Sequence, residues 1–177
     1  MRKYSLLFLS FFLYGVLLAG GQQSTYSSDS YKPDPYSGDV VPILNIYLGP
    51  SIYKNSTPSM SFFGSYEIPA IDPNLTLGPE IGFGMGGNIN GVSISTLSLS
   101  VKATYYADWL IPNMPDEFDV FLTSTAGLYI LSGTSGSSGL QYGTYAGGRW
   151  HFSEKMSVYG QLGYGNSFIA GGISIKF

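Results

Sequence analysis

The chain has no cysteine and a single histidine, His151, among its 177 residues. Without thiols there is no disulfide framework, no cysteine nucleophile, no Fe–S ligand and no thiolate zinc site. One imidazole cannot build a histidine metal cluster, and the acidic residues lack calcium-loop spacing. No cofactor is therefore expected. Charge is also scarce, at 11% of residues against roughly 25% in an ordinary soluble domain. Eight basic residues face eleven acidic ones, so the basic footprint of a nucleic-acid partner is missing. What is abundant is apolar and small: 44% hydrophobic residues, 16% aromatic, and 24 glycines. That is too much apolar matter for a disordered chain.

The first residues carry an address. Arg2 and Lys3 precede the apolar run from Leu6 to Leu18, which ends in Ala19-Gly20-Gly21 and a polar stretch. A basic start, a short apolar segment and small residues before the cut form a secretory signal peptide over 1–21. The apolar run is too short to cross a bilayer as a helix, which takes about 20 residues. Residues 22–40 are polar, hold two prolines and have no periodicity, and read as a flexible periplasmic linker.

From Val41 to Phe177 the pattern has a period of two. The last segment sets Ile169, Gly171, Ile173, Ile175 and Phe177 on one face, with Phe168, Ala170, Gly172, Ser174 and Lys176 on the other. Similar alternation runs through 43–53, 59–68, 75–86, 97–109, 118–130, 140–152 and 156–164, which makes eight strands. Between them fall turn segments, among them Gly86–Gly91 and Pro112–Glu117. The connections leave no room for crossover helices, so the sheet must be an antiparallel meander. Gly82-Phe-Gly-Met-Gly-Gly87 lies within a strand and opens no helix, so it is not a phosphate cradle.

The two faces differ in kind. One is Leu, Ile, Val and Phe. The other is Gly, Ser, Thr and Tyr, with nearly all the strand charges. Small polar residues suit the crowded interior of a narrow barrel, and the apolar face suits lipid. The fold class this predicts is all-β: an eight-stranded antiparallel up-and-down transmembrane β-barrel over 41–177. Seven charges would then face inward: Glu67, Glu80, Lys102, Asp108, Asp119, Arg149 and Lys176. Glu80 is expected to pair with Lys102 and Asp119 with Arg149, because an isolated charge in a barrel interior is costly. This lumen ion-pair network is expected to be a structural plug. Trp109, Phe118, Trp150, Phe152 and Phe177 fall at one rim, the place of an interfacial aromatic girdle.

The ending Tyr159-Gly-Gln-Leu-Gly-Tyr-Gly, followed by Gly171-Gly-Ile-Ser-Ile-Lys-Phe177, resembles the last hairpin of the small outer-membrane β-barrel family, the OmpA/OmpX-like eight-stranded barrels. Gly147-Gly-Arg-Trp-His-Phe-Ser-Glu-Lys155 resembles the preceding strand and turn of that family. The resemblance covers roughly 43–177. It implies an outer-membrane protein with both barrel termini periplasmic. It also implies that Gly171, Ile173, Ile175 and Phe177 form the signal read by the barrel-assembly machinery. Outer-membrane lipid would be the main partner, and the expected role is structural or accessory in the cell envelope, as a subunit beside a larger outer-membrane protein complex. The outer loops are shorter than in the best-known members, which argues against loop-based adhesion. The lipid A deacylases carry a His-x-Ser arrangement that His151-Phe152-Ser153 reproduces. Here it falls at the periplasmic end, away from lipopolysaccharide, so no catalysis is expected. A rival reading reverses the faces, giving a secreted soluble barrel with Leu97, Leu99 and Val101 lining an apolar ligand cavity.

Overall fold

The computed structural model describes residues 42–177, apart from 52–58, 71, 73, 90–91, 116 and 133–136. The signal peptide and the linker lie outside the described residues. Eight strands follow in chain order: β1 (Ile43–Ser51), β2 (Ser59–Pro69), β3 (Leu75–Ile89), β4 (Val92–Tyr106), β5 (Phe118–Ser132), β6 (Ser137–His151), β7 (Met156–Tyr164) and β8 (Ile169–Lys176). Each pairs antiparallel with the next, and β8 pairs with β1, so the sheet closes into a barrel. Closure satisfies the backbone groups that an open edge would leave bare in lipid. The ladders close out of step by roughly ten residues, which for eight strands gives a tilt of about 40°.

The alternation resolves as an inverted protein. Lys102, Glu67 and Arg149 are 2% exposed or less, whereas Val101 and Leu162 are each 61% exposed. Leu97, Leu99 and Val101 all face outward. The reversed faces of a soluble ligand-binding barrel are therefore not the faces of this molecule. Along β6, outward residues run from Trp150 to Leu140 over roughly 33 Å of strand, or about 25 Å along the barrel axis at that tilt. An outer-membrane apolar band has this height.

The largest departures from the expected strand bounds fall at both ends of β4. The expected turn at 86–91 is shorter, because β3 continues to Ile89 and β4 starts at Val92. The ladder continues through the glycines after a register shift between Gly86 and Asn88. A glycine weakens a strand, but inter-strand hydrogen bonds can still carry the ladder across it. At the other rim the strand expected over 97–109 stops at Tyr106, and Asp108–Leu110 form a single 3-10 turn. The hydrogen bonds explain the stop: Ala107 N–H donates to Val120 O at 2.8 Å, and the Asp108 carboxylate accepts from Val120 N–H. That bond bends the chain out of the strand.

Aromatic rings fill much of the interior, and glycines make room for them. Phe63 lies opposite Gly82 in the β2–β3 ladder, and Phe121 lies opposite Gly147 in the β5–β6 ladder. A Cβ at Gly82 would meet the Phe63 ring at 2.6 Å, and one at Gly147 would meet Phe121 Cε2 at 2.6 Å. Tyr47 and Tyr159 both face Gly172. The glycine excess is thus in part a packing device, since each ring lies over a bare stretch of the neighbouring strand. The next residue on β6, Gly148, turns outward, where a Cβ would meet only Asp119 O, at 3.5 Å. Gly147→Leu is expected to cost about 1–3 kcal/mol through overpacking, whereas Gly148→Leu should stay within about 0.5 kcal/mol. Urea unfolding of both variants in detergent micelles reads the difference.

Candidate functional site

The lumen near the rim that carries Ile43 and Lys176 holds the main concentration of described charge, and its geometry is built around Glu67. This β2 side chain points inward beside Gly78 of β3, and Gly78 in turn sits opposite Lys102 of β4. A Cβ at Gly78 would lie 3.4 Å from Glu67 Cα. The absent side chain leaves Lys102 a path across β3, and its Nζ comes to 3.3 Å from Glu67 Oε1. Arg149 Nη2 approaches the same oxygen at 3.6 Å. Asn45 Nδ2 donates to it at 2.7 Å. The second oxygen, Oε2, accepts from Tyr106 Oη at 2.7 Å and from Thr76 Oγ1 at 3.0 Å. Five groups from β1, β3, β4 and β6 converge on one buried carboxylate.

The donors are themselves held. Tyr106 Oη accepts from Arg149 Nη1 at 2.7 Å while it donates to Glu67. Asn45 Oδ1 accepts from Arg149 Nη2 at 3.1 Å and from Ser174 Oγ at 2.6 Å. Lys102 Nζ also donates to Ser65 Oγ at 3.3 Å. The cations lie over aromatic faces, with Lys102 Nζ 5.3 Å from the Tyr47 ring and Arg149 Cζ 5.5 Å from the Tyr106 ring. Hydrogen bonds to charged groups strengthen in such low-dielectric surroundings, so the arrangement locks the barrel wall strand to strand.

The expected pairs are only partly those of the structure. Asp119 and Arg149 are ladder partners, and Asp119 Oδ2 lies 4.0 Å from Arg149 Nη1. His151 Nε2 comes to the same Asp119 oxygen at 2.7 Å. Lys102 goes to Glu67 rather than to Glu80, which instead accepts from Tyr47 Oη and, at 3.5 Å, from Ser100 Oγ. The ladder explains why, since Lys102 faces Gly78 and Glu80 faces Ser100. Asp108 is not a lumen residue of β4 but sits on the 3-10 turn, bonded to the β5 backbone. Lys176 closes β8, half-buried opposite Ile43. Asn45, Thr76, Tyr106 and Ser174 were missed as network members. Their only signal was that they share the inward parity of the charges, which Ser and Thr also share throughout the barrel.

At the same rim Phe118 and Trp150 stack outward at 6.4 Å, and Phe152 meets Trp150 edge-on at 6.4 Å. Phe177 ends the chain exposed, its N–H donating to Pro42 O at 3.2 Å. The Trp109 side chain lies outside the described residues. A second aromatic group, unforeseen as a girdle, stands toward the other rim, where Tyr142 and Tyr164 pair outward at 6.3 Å. For the His-x-Ser triplet, Ser153 Oγ accepts from Met156 N–H at 3.0 Å and caps the β6–β7 turn. Among the described residues no group of three or more His, Asp or Glu could hold a metal ion.

Similarity to solved structures follows this geometry. The chain resembles Neisserial surface protein A at a TM-score of 0.52 and 13% identity, over 77% of this chain and 94% of that one. It resembles a de novo designed transmembrane β-barrel at 0.50 and 17% identity, over 83% and 98% of the two chains. The fold is that of the small outer-membrane barrels. No family model matches the sequence, and no curated protein matches it. At these identities the likeness lies in the fold, so function must be argued from the residues.

Proposed function

We propose that this chain is a non-enzymatic integral outer-membrane protein with a structural or accessory role in the cell envelope, both barrel termini facing the periplasm. The observation that carries the reading is the inversion of burial. The interior near one rim is a hydrogen-bonded ion network wedged with aromatic rings, and the exterior is a continuous apolar belt edged by Phe118, Trp150 and Phe152. A barrel plugged in this way offers lipid and neighbouring proteins its outer wall and offers solutes no wide channel. The short connections at the rim opposite the termini suit a subunit seated beside a larger outer-membrane complex better than a free-standing adhesin.

Gel mobility of unheated and boiled samples from a washed outer-membrane fraction tests the reading. The folded barrel should stay in the pellet and migrate differently until boiled. A wash-soluble protein without a shift would sink the proposal.

The closing strand is proposed as the assembly signal. Gly171 and Ile173 lie on the outward face of β8 with Ile175 on the same parity, leading to the exposed Phe177. Deleting Phe177 is expected to lower the folded, heat-shifting fraction in cells severalfold, while the purified variant still refolds in detergent. Equal loss in both settings would make Phe177 a stability residue instead. Ser153→Ala should leave the lipid A profile unchanged, and an altered profile would revive the enzymatic alternative.

A further inference from the structure

The connection between β4 and β5 is not a simple turn. Residues 107–117 outnumber the connections at the same rim, which are 70–74 between β2 and β3 and 152–155 between β6 and β7. It is folded, with Leu110 N–H donating to Ala107 O and Ile111 N–H to Asp108 O, both at 3.0 Å. Asn113 takes a left-handed φ of 60°, the sole non-glycine positive φ among the described residues. The segment is stitched to β5 and to β6. Val120 N–H bonds Asp108, Phe118 N–H donates to Pro115 O at 3.0 Å, and His151 N–H donates to Glu117 O at 2.8 Å.

A segment so firmly held would be expected to bury its apolar side chains, yet Leu110 is 59% and Ile111 45% exposed. The connection that carries them leads directly into Phe118, which stacks on Trp150 at the outer face, so exposed apolar side chains continue along the chain from the connection into β5. Water-facing turns at such a rim are ordinarily short and polar. An apolar turn continuous with an aromatic girdle has the chemistry of an interfacial anchor, which seats side chains at the boundary of headgroups and acyl chains.

We propose that the 107–117 connection is a lipid-interface anchor, seating Leu110 and Ile111 in the inner-leaflet boundary of the membrane. It fixes the depth of the barrel on its β4–β5 side. The exposed Glu117 at its end favours zwitterionic over anionic headgroups beside it.

This inference rests on the membrane reading above, and the test separates the two. Trp109, within the connection, and Trp150, on the girdle, are the chain's two tryptophans. Trp150→Phe and Trp109→Phe therefore each leave one reporter. The full chain, refolded into phosphatidylcholine vesicles and checked by its gel shift, is read with lipid brominated near the headgroup and with aqueous iodide. The Trp109 reporter is expected to lose about half its emission to brominated lipid and little to iodide. Adding Leu110→Asp and Ile111→Asp should abolish that lipid quenching, while the same pair in the Trp109→Phe background leaves Trp150 quenched. If Trp109 answers to iodide alone while Trp150 answers to lipid, the connection hangs in water and the anchor is overturned with the membrane reading intact. If neither tryptophan answers to lipid, both readings fall. If the aspartate pair does not refold, the Trp150→Phe protein alone decides.

Discussion

Replacing Glu67 by Leu is expected to destabilise the barrel by about 3–5 kcal/mol, the loss seen when one partner of a buried ion pair is removed. The size follows from what is left behind. Lys102 and Arg149, both almost wholly buried, would keep their charges inside the barrel with Glu67 gone. Tyr106, Thr76 and Asn45 would each lose an acceptor at 2.7–3.0 Å. Glu67→Gln keeps the acceptor oxygen and shape but not the charge, and should fall between Leu and wild type. The double variant Glu67→Met with Lys102→Met should recover much of the loss, because it removes both ions and leaves Arg149 its second carboxylate, Asp119. Equilibrium unfolding in urea, read by band shift from vesicles, measures all three. A Glu67→Leu protein as stable as wild type would show that the network contributes nothing to the fold.

Val101→Arg is expected to cost about 2–4 kcal/mol in a bilayer, as a cation does on the lipid face near the midplane of an outer-membrane barrel. Val101 is chosen because it lies well inside β4, outward between Pro79 and Ala126, with the buried Lys102 next in sequence. In a water-soluble protein the same change at so exposed a site would fall within about 0.5 kcal/mol. The outcome therefore separates a lipid-facing wall from a solvent-facing one. Unfolding in phosphatidylcholine vesicles gives the value, and a neutral Val101→Arg would contradict the membrane-spanning reading.

Much of this architecture was legible in the sequence because a strand has only two sides. The alternation of Phe121, Thr123 and Thr125 against Val120, Leu122 and Ala126 assigns each side chain to a face without any knowledge of its neighbours. Strand number, antiparallel order and the inward placement of Glu67, Glu80, Lys102, Asp119 and Arg149 follow from that parity. The glycine excess signalled a crowded interior. It did not say which ring each glycine admits, because that needs the register.

Partner choice was decided by the tertiary structure alone. Parity gives a face but no height, and the tilt of a closed barrel shifts each strand along its neighbour. Side chains from strands that are not adjacent are thereby brought together across the lumen. Lys102 reaches Glu67 over Gly78 instead of taking Glu80, and Asn45 of β1 meets Arg149 of β6. The 3-10 turn at Asp108–Leu110 was hidden for the same reason, since what ends β4 is a hydrogen bond to Val120 on the far side of the connection. The period of two determined the wall and its sidedness, and the register of the closed sheet determined the chemistry inside it.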